Sequence, residues 1–380
     1  MDDAIWSAVE NLVGRETRLA LAVTGGGSAL LHWLFDHPGA SRVLVEAQIP
    51  YASAALSAYL QRPGPHRVTR QTARDMSWAA YERARRDGSH SGPHWGIGLT
   101  AALATGRERR GEDRVHLALR TADRCYFHHL ILDKGAAGRT EQEQVVSRWA
   151  LSHIAEQLDI SYEPLLPSWT ERSSECMDLS DPLGLLLSGS LDVVEVTREG
   201  ICCVDVEPAN RLLYPGSFNP LHEGHCQLAE VAGQLSGRSV ALEISVRNVD
   251  KPTLERAALE ERLAELQGRF AVCLTREPTF FGKASHFSAP HFVIGCDTAM
   301  RLVDGKYYEG GHDGMVQSLL KMRADGVLFW VAGRSIDGVY RTLSDVEVPA
   351  ELGTLFCSIP ETAFRMDISS TEIRARQRAQ

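Results

Sequence analysis

The sequence predicts an α/β protein of two domains, the second built on a doubly wound parallel sheet. Three observations carry this. Short apolar runs alternate with stretches of helical apolar spacing along most of the 380 residues. Two junctions, around residues 24–28 and 214–225, read as strand, glycine turn and helix. An acidic, proline-punctuated segment separates the two α/β patterns and places the divisions at 1–160, 161–207 and 208–380.

In the first pattern, apolar spacing over 2–13 is helical. Residues 19–24 form an apolar run that ends in Gly25-Gly26-Gly27-Ser28, and 29–35 return to helical spacing. Strands are expected at 44–49, 96–104, 115–121 and 126–132. A charged helix is expected at 75–87 and an amphipathic one at 141–158. In the middle segment, 191–196 and 201–206 flank Thr197-Arg198-Glu199-Gly200 like a hairpin. The second pattern places strands at 212–214, 240–246, 271–275, 292–295 and 327–332. Its helices are expected at 224–235, at 254–267 and from about Ser370.

Lys and Arg against Asp and Glu give +1 for residues 1–160, −8 for 161–210 and −2 for 211–380, the net −9 of the chain. No part carries the positive balance of a nucleic-acid surface, so no nucleic-acid partner is expected. The longest apolar runs, such as 326–332, are far shorter than a membrane helix needs. Met1-Asp2-Asp3-Ala4 lacks the basic-then-apolar pattern of a secretory signal. The expectation is a soluble, cytoplasmic chain without a membrane partner. The eight cysteines form no C-x-x-C pair, which predicts reduced, mostly buried thiols and no metal site.

The most informative segment is Tyr214-Pro-Gly-Ser-Phe-Asn-Pro-Leu-His-Glu-Gly-His225. A glycine turn between strand and helix exposes backbone N–H groups beside the positive end of the helix, an arrangement suited to an anion. His222 and His225 share a face of the first helical turn and can donate to phosphate oxygens. The same pair also reads as a metal half-site without a third ligand, or as two unrelated surface histidines. Near the other end stands Ile368-Ser-Ser-Thr-Glu-Ile-Arg374, hydroxyls at a helix start with an arginine one turn on. It reads as a phosphate cradle or as an ordinary helix cap.

Together the two segments resemble the nucleotidylyltransferase superfamily with its H-x-G-H and I-S-S-T-x-I-R motifs, over about residues 208–380. Within it, the nicotinamide and nicotinate mononucleotide adenylyltransferases are the most similar. Val293-Ile-Gly-Cys-Asp297, Val331-Ala-Gly-Arg334 and Asn248-Val-Asp-Lys251 look like further family segments. The resemblance implies adenylyl transfer from ATP, with Mg²⁺ carried mostly by the phosphates, to a pyridine mononucleotide. It implies that His222 and His225 contact the ATP phosphates, with His225 stabilising the transition state. Gly216, Ser217 and Phe218 would supply backbone contacts, and Ser369, Ser370, Thr371 and Arg374 would hold the leaving pyrophosphate. Lys251, Gly295, Asp297 and Arg334 would lie near the nucleotide.

Pro215-Gly-Ser-Phe-Asn-Pro220 departs from the G-G-T-F-D-P of bacterial nicotinate enzymes, which leaves the amide and acid forms of the pyridine both open. Trp330, Phe280, Phe281, Tyr307 and Tyr308 are candidates to stack on the pyridine, or core residues.

Residues 1–160 resemble the CinA C-terminal domain, a nicotinamide-nucleotide amidohydrolase family, through Thr24-Gly-Gly-Gly-Ser28, Asp36-His-Pro-Gly-Ala-Ser41 and Tyr51. The family's nucleophilic serine falls on Thr24, its glutamate on Val23, its cysteine on Gly25 and its lysine on Leu56. A serine amidase needs a base beside its nucleophile. The expectation is a degenerate domain for binding, regulation or homo-oligomerisation. The alternatives are a bifunctional deamidase–transferase, a nucleotidylyltransferase for another phosphorylated acceptor, and a non-catalytic nucleotide sensor.

Overall fold

The computed structural model describes residues 2–62, 64–86, 92–106, 110–204, 210–247, 254–336 and 338–365. The chain divides into two compact units, Met1–Ser180 and Asp181–Gln380.

The first unit runs α1 (Asp3–Val13), β1 (Arg18–Thr24), α2 (Ser28–Asp36), β2 (Leu44–Gln48), α3 (Ser53–Leu60), α4 (Arg70–Arg86), β3 (His94–Ala102), β4 (Asp113–Arg120), β5 (Arg124–Leu132), α5 (Arg139–Gln157) and β6 (Thr170–Asp178). Its sheet has the order β2-β1-β3-β4-β5-β6. The β2-β1-β3 part is parallel and the rest is an antiparallel meander. Strand β1 is buried along its whole length and sorts its residues by size. Leu19, Leu21 and Val23 join the large core with α1, α2 and α5, including Leu12, Leu34 and Trp149. Ala20 and Ala22 face the other way, against Met76, Ala80 and Ala84 of α4 and Leu56 and Tyr59 of α3.

The second unit continues with α6 (Pro182–Ser188), β7 (Val193–Val196), β8 (Cys202–Cys203), β9 (Arg211–Pro215), α7 (Glu223–Ser236), β10 (Ser239–Ser245), α8 (Arg256–Leu266), β11 (Ala271–Thr275), α9 (Phe280–Ala284), β12 (His291–Gly295), α10 (Cys296–Leu302), α11 (Gly311–Ala324), β13 (Leu328–Ala332), a short β14–β15 hairpin (Arg334–Ile336, Val339–Arg341) and β16 (Phe356–Ser358). The sheet order is β16-β13-β12-β9-β10-β11-β7-β8. From β16 to β11 the strands are parallel. Strands β7 and β8 close one edge in antiparallel fashion. Strand β9 is central, with Leu212 packed towards Leu228 and Ala232 of α7 and Leu213 in the opposite core beside Phe292 and Phe329.

The acidic segment 161–207 is shared between the units rather than lying wholly between them. Its Thr170–Asp178 portion pairs with β5 over nine residues, although seven of its side chains are exposed or nearly so at both faces. Its later portion supplies α6, β7 and β8. Glu195 of β7 is held to Arg211 of β9 by two hydrogen bonds of 3.0 and 2.6 Å. None of the eight cysteines is in a disulfide, and only Cys125, Cys273 and Cys296 are buried. The expected burial of most thiols is therefore corrected: Cys202 and Cys203 sit on a short edge strand, and Cys176 on the exposed β6. Among the described residues, no helix is long and apolar enough to cross a membrane.

Candidate active site

A cavity of about 600 Å³ opens at the carboxyl ends of β9, β10, β12 and β13. The strand order reverses at β9, and ligands of open α/β sheets bind at such a point. Gly216 begins the turn, and its N–H donates to the Glu243 carbonyl of β10 at 3.0 Å. Glycine is required there by Phe218: a Cβ on Gly216 would lie 2.7 Å from the Phe218 ring. Phe218 is buried, adopts φ +43°, and meets Tyr214 and His225 edge-on at 5.3 and 5.0 Å.

His222 caps α7 and His225 lies in its first turn, with the rings stacked at 3.6 Å. The His222 backbone N–H donates to His225 Nδ1 at 3.3 Å. That bond makes Nδ1 the acceptor, so the neutral ring carries its proton on Nε2. Burial, then His222 and Arg334, push the His225 pKa down to about 3; burial and Arg334 also lower that of His222. Both rings are therefore neutral near pH 7. Nδ1 of His222 is buried and without a hydrogen-bond partner among the described residues.

Across the cavity, Gly295 caps α10, and Asp297 accepts from Arg334 Nη1 at 3.3 and 3.4 Å. Gly216, Ser217, Phe218, His222, His225, Gly295 and Arg334 line one cavity, with Asp297 held at its rim by Arg334. Lys251, Ser369, Ser370, Thr371 and Arg374 lie outside the described residues. Of the five aromatic candidates for stacking, only Phe280 lines the cavity. Trp330 donates to His291 Nδ1, Tyr308 donates to the Leu302 carbonyl, and Phe281 and Tyr307 are exposed.

The cavity also holds residues that no motif pointed to: Glu243, Ser245, Arg262, Lys283, Thr298 and Arg301. The signal available was a lone acid in the apolar run Ala241-Leu-Glu-Ile244 and a lone base after Phe280-Phe-Gly282. Glu243 is committed to Lys283, Thr275 and Ser245. With Asp297 committed to Arg334, the donor set suits a Mg²⁺ ion brought in on nucleotide phosphates rather than one caged by protein carboxylates.

In the first unit, the glycine turn after β1 is filled by the chain itself. The Glu143 carboxylate of α5 accepts from the backbone N–H groups of Gly27, Ser28 and Ala29 and from the Ser28 hydroxyl. The Thr24 hydroxyl donates to the Pro50 carbonyl at 3.1 Å. Leu56, at the position of the family lysine, is buried among Ala22, Tyr59, Leu60 and Met76.

Residues 213–376, within the second unit, match the cytidylyltransferase-like family, and this match supports a nucleotidyltransferase domain there. The N-terminal region is similar in structure to the competence/damage inducible protein CihA from Agrobacterium tumefaciens (21% identity, 41% of this chain and 96% of that chain, TM-score 0.34). It is likewise similar to the competence damage-inducible protein A (ComA) from Klebsiella pneumoniae (17%, 41% and 96%, TM-score 0.32). A competence-damaged protein (CinA) superfamily protein from Escherichia coli also matches (17%, 41% and 93%, TM-score 0.32). No curated protein matches the chain by sequence.

Proposed function

We propose that the second unit transfers the adenylyl group of ATP to a pyridine mononucleotide, giving a dinucleotide and pyrophosphate. The observation that carries this reading is the pair of neutral, stacked imidazoles at the start of α7, beside a backbone turn at the reversal point of a parallel sheet. A phosphate oxygen of the mononucleotide attacks the α-phosphorus of ATP, a new P–O bond forms, and the bond to the β-phosphate bridging oxygen breaks. Such transfer relies on positioning and charge stabilisation. The N–H groups of the turn and of α7 face the phosphates, and His225 Nε2–H donates to the oxygens on which charge develops. Mg²⁺ bound to the phosphates would neutralise part of that charge.

The first unit has no amidase activity in this reading. The Thr24 hydroxyl donates its hydrogen bond to the Pro50 carbonyl rather than to a base, and apolar side chains surround the place of the missing lysine. Its role is then binding, regulation or self-association.

The test is product analysis. Full-length protein is incubated with ATP, Mg²⁺ and either nicotinamide or nicotinate mononucleotide, and nucleotides and pyrophosphate are resolved. The expected result is a dinucleotide, formed roughly 10²- to 10³-fold more slowly by a folded His225→Ala variant. No dinucleotide from either acceptor overturns the reading, as does an H225A variant of unchanged rate.

A further inference from the structure

Sheet order divides the cavity into two halves. Strands β10 and β11 lie on one side of the glycine turn, and β12 and β13 on the other. Doubly wound folds place the two halves of a dinucleotide on either side of such a turn, with the phosphates between them. Under the function proposed above, on which this inference rests, the β12–β13 half with Asp297 and Arg334 takes the ATP nucleoside. The acceptor's pyridine then falls to the β10–β11 half.

At the inner edge of that half is a charge pair the chemistry so far does not use, Glu243 of β10 with Lys283 of α9, the helix that crosses from β11 to β12 and packs its Phe280 on Phe292 and Phe329. Glu243 is fully buried; its Oε1 accepts from Thr275 Oγ1 at 2.6 Å and Ser245 Oγ at 3.3 Å, and its Oε2 from Lys283 Nζ at 2.7 Å. Lys283 is 7% exposed, with its ammonium 5.5 Å from the Phe280 ring centroid. Both residues line the cavity. A buried ion pair is weak as a source of stability, so its place on a cavity wall asks for another use. The carboxylate accepts from three donors, two on Oε1 and one on Oε2. The ammonium has three N–H groups, gives one to Glu243, and donates to no other acceptor among the described residues. Arg262 and Arg301 also line the cavity, and among the described residues neither is paired and Glu243 is the one acid lining it.

We propose that Lys283 is a specificity residue that binds the carboxylate of an acid-form pyridine mononucleotide, with Glu243 as the positioning residue that holds the ammonium in place. An ammonium donates more strongly to a carboxylate than to an amide carbonyl, so the enzyme prefers nicotinate to nicotinamide mononucleotide.

The test compares kcat/KM for the two acceptors at saturating ATP and Mg²⁺. The wild-type protein is expected to favour the acid form by about tenfold or more. Lys283→Met lowers kcat/KM for the acid form by roughly 10- to 100-fold and that for the amide form by less than about threefold. Because K283M strands a buried carboxylate, the pair E243Q/K283M, which removes both charges, is assayed beside it and loses the preference in the same way. Lys283→Arg retains the preference. A wild-type preference for the amide form, or equal losses on both acceptors in K283M and E243Q/K283M, overturns the inference while leaving the transferase intact. Conversion of neither acceptor overturns the proposed function and this inference with it.

Discussion

Glu143 gives the most direct test of how the first unit is built. Helix α2 starts at Gly27, in the left-handed region at φ 85°, with no side chain of its own to cap it. Its first amides go to a carboxylate more than 110 residues further along: Gly27 N–H at 3.1 Å, Ala29 N–H at 3.2 Å, the Ser28 N–H, and the Ser28 hydroxyl at 2.9 Å. Losing an N-cap costs about 1 kcal/mol, and losing a negative charge at a helix start up to about another. Charge-assisted bonds in a half-buried site raise the sum for Glu143→Ala to about 2–3 kcal/mol. Glu143→Gln keeps an acceptor and loses the charge, which costs about 1 kcal/mol. Six of the seven tryptophans lie in Met1–Ser180, so tryptophan fluorescence during urea unfolding of the full chain reports mainly this unit. With a urea slope of about 2 kcal/mol per molar, E143A lowers the midpoint by about 1 M and E143Q by about half that. A midpoint within about 0.2 M of wild type for E143A refutes the reasoning, since water would then satisfy the amides as well as the carboxylate does.

Two further outcomes are expected. Burial and His153 push the His128 pKa down to about 3, and burial holds His116 and His291 at about 4. Folded values below the unfolded 6.5 mean that stability is complete above pH 6.5 and falls towards pH 4, because the unfolded chain takes protons that the folded one refuses. His128 alone contributes a slope of about 1 kcal/mol per pH unit; urea midpoints equal at pH 7 and pH 5 would contradict this. Gly25→Ala places a Cβ 1.9 Å from the Ala101 carbonyl oxygen at φ +79°. The strain and overlap are expected to cost the first unit about 2–5 kcal/mol; a tryptophan-monitored urea midpoint equal to wild type would show that the end of β3 yields without cost.

Local chemistry was the legible part of the sequence. The strand, turn and helix around Gly216, His222 and His225 are adjacent in the chain, so their order and spacing made the local fold and the meeting of the two imidazoles legible. Strand β6 was missed because Thr170–Asp178 is an edge strand with little burial on either face; it has no apolar alternation to read, and its backbone pairing with β5 makes it a strand. Helix α3 was missed because eight residues rich in Ala, Ser and Leu give a weak helical period. The long-range partnerships were invisible for a different reason. Lys283 meets Glu243 only through the register that sets β10 beside β11, and Glu143 reaches α2 only once α5 has docked. Sequence spacing holds no trace of either meeting.

The pairing of β7 with β11 bears on how the protein can be taken apart. A fragment cut at residue 208, where the strand–turn–helix pattern of the nucleotidyltransferase begins, would lack β7, β8 and the Glu195 partner of Arg211. It would bare the backbone edge of β11, with Val272, Cys273 and Leu274 buried in the parent fold now flanking an open ladder. Exposed apolar edges of this kind recruit strands from other molecules. A fragment starting at Asp181 carries its own edge cover, and the difference between the two should appear as monodisperse protein in one preparation and self-associated material in the other.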